Sequence, residues 1–340
     1  MNVLKPLKLS TKKSQIAIIG SGSWATALAK IFTDAKNHVH WYIRDQEEAK
    51  AVRQKGMNPS YLSSIKFPQK SISVSSDINC VISACNWIVL AIPSAFLDAT
   101  LKQIDVPFEK KWIISGVKGI IPESKCIVGE HLNLHYDLPM EQFLVIAGPS
   151  HAEEIALERL SFLTLACSKK KYAEELKKMM LTKYVRVKIS SDVVGIEYAA
   201  TLKNVYALAV GIAHGLNYGD NFQSVLISNA IREMDLFLKK ISVSSRNINQ
   251  SAYLGDQLVT AYSPYSRNRR FGNLIGRGAS IKSAQLEMKM IAEGYYACSS
   301  VYELSQKYSI DSPIIDTVYH ILYQNKNPKK GFRKLVEKLD

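Results

Sequence analysis

Cysteine is scarce in this chain and follows no pattern. The five residues, Cys80, Cys85, Cys126, Cys167 and Cys298, are odd in number and lack C-x-x-C spacing, so neither a disulfide framework nor a cysteine zinc site is encoded. A reducing cytoplasm is the setting this implies. Histidine adds no metal signature: His131 and His135 stand four apart, but Leu132 occupies the place where a zinc protease motif carries its glutamate. His38 and His40 alternate as residues on one face of a strand do. Long apolar runs are missing as well. None approaches the roughly 20 residues of a membrane span, so no integral membrane segment is expected. The amino-terminal MNVLKPLKLSTKKS lacks the continuous apolar core of a signal peptide, and residues 1–14 read as a flexible basic leader.

Acidic residues are in deficit, 30 against 44 lysines and arginines, for a net charge of +14. Such an excess suits nucleic acid, a membrane surface or an anionic small molecule. Part of it lies in the two termini, with further clusters at Lys169-Lys170-Lys171 and Arg267-Asn268-Arg269-Arg270. That distribution fits solubility and loose contact rather than nucleic-acid binding. The chain also lacks repeats, low-complexity segments and any glycine-rich or proline-rich linker. The two domains that 340 residues suggest are therefore expected to pack against each other.

What is present begins at Gln15. In QIAIIGSGSWATALAK an apolar run, Ile16 to Ile19, ends in glycines and leads into an alanine-rich helical pattern. Gly20, Gly22 and Ala25 fall on the spacing G-x-G-x-x-A: a tight turn, a close backbone approach for pyrophosphate, and a small residue where helix meets strand. The helix opening near Ser23 offers its free N–H groups to phosphates. A second strand pattern, His38 to Ile43, completes a β-α-β unit and ends in Arg44-Asp45. NAD-selective folds usually place a carboxylate there. Arg44 comes first here, which favours the 2′-phosphate of NADP, while Asp45 is the alternative reader of the ribose.

Further strand patterns cover Asn86–Pro93, Trp112–Ser115, Gln142–Ala147, Leu160–Cys167 and Tyr184–Ile189. Helical periodicity takes over from Asp192, at Val193–Ala213, Ser224–Lys239, Leu286–Lys307 and Pro313–Tyr323. The predicted fold is α/β, a Rossmann-type doubly wound sheet over residues 15–190, followed by an all-helical domain over 191–340 with a boundary near Ser190-Ser191. Lys118 lies just past a strand end, where a side chain reaches the ligand crevice. Lys203 and Asn204 sit in a long helix, with the small Ala199 and Ala200 on the lysine's face. Buried lysine beside carboxylate and amide is a catalytic arrangement, Leu254-Gly255-Asp256 ends a run, and Arg267 and Asn268 are suited to phosphate oxygens, with a solvated basic loop as the alternative. Gly219-Asp220-Asn221 is a further candidate of this kind.

These segments together resemble the bacterial-type NAD(P)-dependent glycerol 3-phosphate dehydrogenases. The resemblance runs through IGSGSWATALA, SGVKG around Lys118, AGPSHAEE from Ala147, VGIEYAATLKN ending at Asn204, GLNYGDN from Gly215, LGDQLVT and SRNRRFG. It implies that Ser23 and Trp24 line the dinucleotide loop, with Arg44 near the adenine ribose. Lys118 would touch cofactor and substrate, Gly148 and Ser150 would border the substrate, and Ala152 would lie on the cofactor side. Lys203 would accept the proton, with Asn204 and Asp256 as its hydrogen-bonding neighbours. Ser266, Arg267 and Asn268 would hold substrate phosphate, Arg267 also meeting the cofactor, while Ile291 and Glu293 would belong to a late cofactor segment.

Departures from the family pattern are Ala199-Ala200 in place of two glycines, the run Gly255 to Ala261, and His151, which stands where the family often has an apolar residue and receives no role. The implied reaction interconverts sn-glycerol 3-phosphate and dihydroxyacetone phosphate with NADP or NAD, supplying phospholipid synthesis. No metal is called for. The helical half is a candidate homodimer face. The alternatives are a 6-phosphogluconate or β-hydroxyacid type dehydrogenase and a dinucleotide-sensing regulator without turnover.

Overall fold

The computed structural model describes residues 15–288 and 292–340. The expected leader, residues 1–14, and Ile291 lie outside the described residues. Eight strands form one sheet: β1 (Gln15–Ile19), β2 (His38–Tyr42), β3 (Ile72–Ser75), β4 (Trp87–Leu90), β5 (Trp112–Ser115), β6 (Phe143–Ala147), β7 (Ser161–Ala166) and β8 (Val185–Ser190). Their order is β3-β2-β1-β4-β5-β6-β7-β8. Helices α1 (Ser23–Asp34), α2 (Gln46–Lys55), α3 (Ile78–Ser83), α4 (Leu97–Leu101), α5 (Val128–Tyr136), α6 (Ala152–Ala156) and α7 (Lys170–Met180) are interspersed with them.

The first six strands are parallel. Their central members are fully buried, which is why Ile16–Ile19 and Trp87–Leu90 read as unbroken apolar runs rather than alternating ones. Between β6 and β7 lies only the five-residue α6, which rises about 7.5 Å. That is too little to carry the chain back to the opposite edge, and β7 returns antiparallel. The chain winds outward from β1 to β3 and then jumps to β4 beside β1, and that reversal opens a crevice at the carboxyl ends of β1 and β4.

The second half is helical: α8 (Val193–Gly215), α9 (Asp220–Ile241), α10 (Asp256–Tyr262), α11 (Arg267–Gly276), α12 (Ile281–Glu287), α13 (Glu293–Lys307), α14 (Pro313–Tyr323) and α15 (Pro328–Val336). The run expected as one helix over Leu286–Lys307 is divided between α12 and α13. Asp256 opens α10, and residues 267–270 form the first turn of α11 rather than the alternative basic loop. Gly219 caps α9, but Gly219-Asp220-Asn221 is exposed and joins no cavity described below.

Only Ser191 and Asp192 separate β8 from α8. The Asp192 carboxylate caps α8 by accepting the Gly195 N–H at 3.1 Å. It also accepts from Arg246 Nε at 2.7 Å and the Tyr253 hydroxyl at 2.6 Å, fastening the junction to the helical half. Buried Glu197 of α8 accepts the Gly129 N–H in the first turn of α5 at 3.1 Å, tying α8 to the sheet side.

The closest packing joins α8 and α11. A Cβ added at Gly211 would meet the Arg269 carbonyl oxygen at 2.1 Å, and one at Gly272 would meet that of Leu208 at 2.2 Å. Gly215 and Gly276 repeat the contact one turn on. With four side chains reduced to hydrogen, the helix backbones touch, and α11 is held against residues 208–215 of α8.

Candidate active site

The dinucleotide loop is built by close approach. Gly20 has φ +124°, and a Cβ there would lie 2.4 Å from the Ala91 carbonyl oxygen just past β4, so only glycine lets the loop enter the crevice. Two side chains to which the sequence reading gives no role at this loop fasten it. The Trp41 indole N–H donates to the Gly20 carbonyl at 2.7 Å, and the Asn58 amide donates to Ser21 O at 2.8 Å and to Thr26 Oγ1 at 2.9 Å. Gly22 caps the 12-residue α1 without a side-chain hydrogen bond, and nothing lies within 4 Å of a Cβ placed on it. Free N–H groups thus face open space, a fit for a pyrophosphate.

Gly20, Gly22, Ser23, Trp24 and Arg44 all line this cleft. Ala25 does not; it is fully buried within α1, where its small size serves packing. Arg44 is exposed at the carboxyl end of β2. Asp45 is engaged elsewhere, its carboxylate capping α2 by accepting the Glu48 N–H at 2.7 Å.

A second cavity continues from this cleft, with Ser23, Trp24, Gly116, Arg267 and Glu293 lining both. It gathers most of the expected substrate residues, Lys118, Ser150, Lys203, Asn204, Asp256, Ser266, Arg267 and Asn268, together with Ala152, expected on the cofactor side. Gly148 is the exception. At φ +105° it turns the chain out of β6, and its carbonyl accepts the Ser150 hydroxyl at 2.9 Å, so it supports the wall rather than forming it.

Lys203 and Asp256 are 3% and 1% exposed, and the ammonium donates to Asp256 Oδ1. The second carboxylate oxygen is buried without a partner among the described residues. Burial, opposed by Asp256 and reinforced by the nearby Lys118, brings the lysine down to about 7. Burial works against an ionised Asp256, but Lys203 and Lys118 outweigh it and hold the carboxyl below its usual range. Lys118 Nζ lies 5.0 Å from the centre of a Trp24 ring, a cation–π contact between the two cavities. Asn204 was expected to bond Lys203; its amide instead donates to the Lys118 carbonyl at 2.8 Å, joining α8 to the segment after β5.

Ser266, Arg267 and Asn268 are the cap and first two residues of α11. The Ser266 hydroxyl accepts the Arg269 N–H at 3.3 Å, and Asn268 Oδ1 accepts the Gly294 N–H at 2.9 Å. The free amides, the helix dipole and the Arg267 guanidinium converge on one end of the cavity. Gly294 sits so close to α8 that a Cβ on it would lie 2.5 Å from the Asn204 carbonyl oxygen. Glu293, beside it, is pushed up by burial against the pull of Arg267 and Lys118, and its Oε2 has no partner among the described residues.

Val259, Thr260 and Tyr265, also in the wall, carry no local motif that would have marked them. The glycine pairs were visible, since Gly211-x-x-x-Gly215 and Gly272-x-x-x-Gly276 share one spacing.

Comparison with known proteins matches this architecture along both halves. The family model for the NAD-dependent glycerol-3-phosphate dehydrogenase N-terminus covers residues 15–173, and that for the C-terminus covers residues 192–333. An NAD(P)+ glycerol-3-phosphate dehydrogenase of Exiguobacterium sp. is 31% identical over 96% of each chain. That of Bacillus subtilis is also 31% identical, over 95% of this chain and 94% of its own. The crystal structure of glycerol-3-phosphate dehydrogenase from Coxiella burnetii superposes with a TM-score of 0.88 at 28% identity, covering 96% of this chain and 99% of the other. With both family models matched, relatives aligned along nearly the whole chain, and Lys203, Asp256 and the first turn of α11 brought to one cavity, this chain belongs to the NAD-dependent glycerol-3-phosphate dehydrogenase family.

Proposed function

We propose that the chain interconverts sn-glycerol 3-phosphate and dihydroxyacetone phosphate, with residues 15–190 holding NADP or NAD and residues 191–340 completing the substrate site. The observation that carries this reading is the buried Lys203, paired with Asp256 in the same cavity as the first turn of α11. The dinucleotide supplies or takes the hydride. The chain's own groups do the rest: the start of α1 cradles pyrophosphate, and Arg267 with the first turn of α11 holds the substrate phosphate. Ser150 and Asn204 border the substrate, while Ala152 and Glu293 face the cofactor side. In reduction the Lys203 ammonium polarises the ketone and gives its proton to the forming alkoxide. In oxidation the neutral amine removes the hydroxyl proton. Asp256 keeps the lysine oriented in either state.

Incubating purified protein with NAD(P)H and dihydroxyacetone phosphate, and separately with 3-oxoacids, tests the reading. Turnover confined to the phosphorylated ketone is expected. Turnover of 3-oxoacids alone would move the chain to the β-hydroxyacid type, and none with either would favour a sensor. The reducing direction would serve phospholipid synthesis. The five free thiols support a cytoplasmic setting, and no described helix is long and apolar enough to cross a membrane. Exposed Val225 and Leu236 on α9 support a homodimer through the helical half.

Cofactor choice follows from Arg44. Because Asp45 is occupied in capping α2, the guanidinium is the group left to meet the adenine ribose. NADPH is expected to serve at least as well as NADH. Arg44→Ala should lower kcat/KM for NADPH by roughly ten- to 150-fold, the value of one charge-assisted hydrogen bond, while nearly sparing NADH. Steady-state kinetics with both cofactors decides it; a strong NADH preference untouched by the substitution would show that another group reads the ribose.

A further inference from the structure

The reaction leaves His151 without a task, although this side chain lines the substrate cavity with Lys118, Lys203 and Asp256. It precedes α6, and its Nε2 lies 3.4 Å from the Val259 carbonyl oxygen. A carbonyl can only accept, so the contact places the proton on Nε2 and leaves Nδ1 with its lone pair. The Tyr265 ring packs on the imidazole with centroids 5.9 Å apart. Nδ1 has no partner among the described residues and is not sealed from solvent, on a ring that lines the cavity. Burial and then the Lys118 charge bring this histidine down to about 4, with Lys203 acting in the same direction. At neutral pH the wall therefore carries an uncharged ring with one free acceptor.

An acceptor of this kind selects among the groups of a phosphorylated ketone. A phosphate dianion would be repelled by the lone pair, and a keto oxygen has no hydrogen to offer. Of the groups on dihydroxyacetone phosphate, the terminal hydroxyl alone can donate. We propose that His151 is a specificity-determining residue whose Nδ1 accepts the hydrogen bond of the substrate's terminal hydroxyl. This assignment rests on the activity proposed above, and it concerns the part of the substrate that neither Lys203 nor α11 addresses.

The test compares the parent with His151→Phe, which keeps an aromatic ring and deletes the acceptor, and His151→Asn, which keeps an acceptor near the position of Nδ1. Each is assayed with dihydroxyacetone phosphate and with hydroxyacetone phosphate, which carries a methyl in place of the hydroxymethyl group. H151F is expected to lower kcat/KM for dihydroxyacetone phosphate by about tenfold and to leave hydroxyacetone phosphate within about twofold of the parent, the scale of one hydrogen bond lost from one substrate only. H151N should recover most of that loss. A loss shared equally by both substrates, no loss in H151F, or no recovery in H151N overturns the assignment and leaves the reaction standing. A parent protein inactive on dihydroxyacetone phosphate overturns both.

Discussion

Lys203→Ala is expected to lower turnover by roughly 10²–10⁴, the usual contribution of a positioned general acid or base, with dinucleotide binding nearly intact. Lys203 lines the substrate cavity but not the cofactor cleft, so a fluorescence titration with NADPH should change little. The pH profile adds a sharper criterion. With Lys203 near 7 in the free protein, kcat/KM for ketone reduction should fall as pH rises through that value, because reduction consumes the ammonium form. Alcohol oxidation should fall as pH drops through it, because oxidation needs the amine. Both limbs should disappear in the variant. A variant that turns over at the parental rate would remove Lys203 from proton transfer. A thermal melt guards against a trivial loss, since the substitution leaves the Asp256 carboxylate buried without its partner.

Arg267→Ala should weaken the phosphorylated substrate by about 1.5–3 kcal/mol, roughly ten- to 150-fold in kcat/KM. The guanidinium stands at the first turn of α11, where the helix dipole and free amides add to its pull. Some effect on the cofactor is expected as well, because Arg267 also lines the dinucleotide cleft and Glu293 lies within its field. Non-phosphorylated dihydroxyacetone separates the two contributions. If it loses as much as the phosphate ester, Arg267 does not hold the phosphate.

The parts of this architecture that show in the sequence are those whose local pattern and tertiary role agree. The β1-α1-β2 unit is legible because a fully buried parallel strand must be apolar throughout and the turn after it must contain glycine. Ile72–Ser75 is not, since this sheet-edge strand alternates with serine and exposes Ser73. The first turn of α11 does not announce itself as a helix because RNRR carries no apolar period; Ser266 capping and the glycine contacts with α8 make it one. Likewise, Lys203 and Asp256 can be nominated from their segments, but Asn204 bonding the Lys118 carbonyl depends on how α8 meets the sheet. Trp41 and Asn58 act on a loop distant from them in the chain, and nothing local marks them.

The backbone contact between α8 and α11 also bears on how this protein can be made more heat-resistant. Glycine inside a helix costs about 1 kcal/mol relative to alanine, and replacing it at a compatible site is one of the commonest routes to a sturdier protein. At Gly331 in α15 that route is open, because an added Cβ would meet only ordinary contacts no nearer than 3.4 Å. At Gly211, Gly215, Gly272 and Gly276 it is closed, because each Cβ would strike main-chain oxygen at 2.4 Å or less. Alanine there would force apart the two helices that carry Lys203 and Arg267. A selection for thermal tolerance that also demands turnover should therefore accept alanine in the carboxyl-terminal helix and retain all four glycines between α8 and α11.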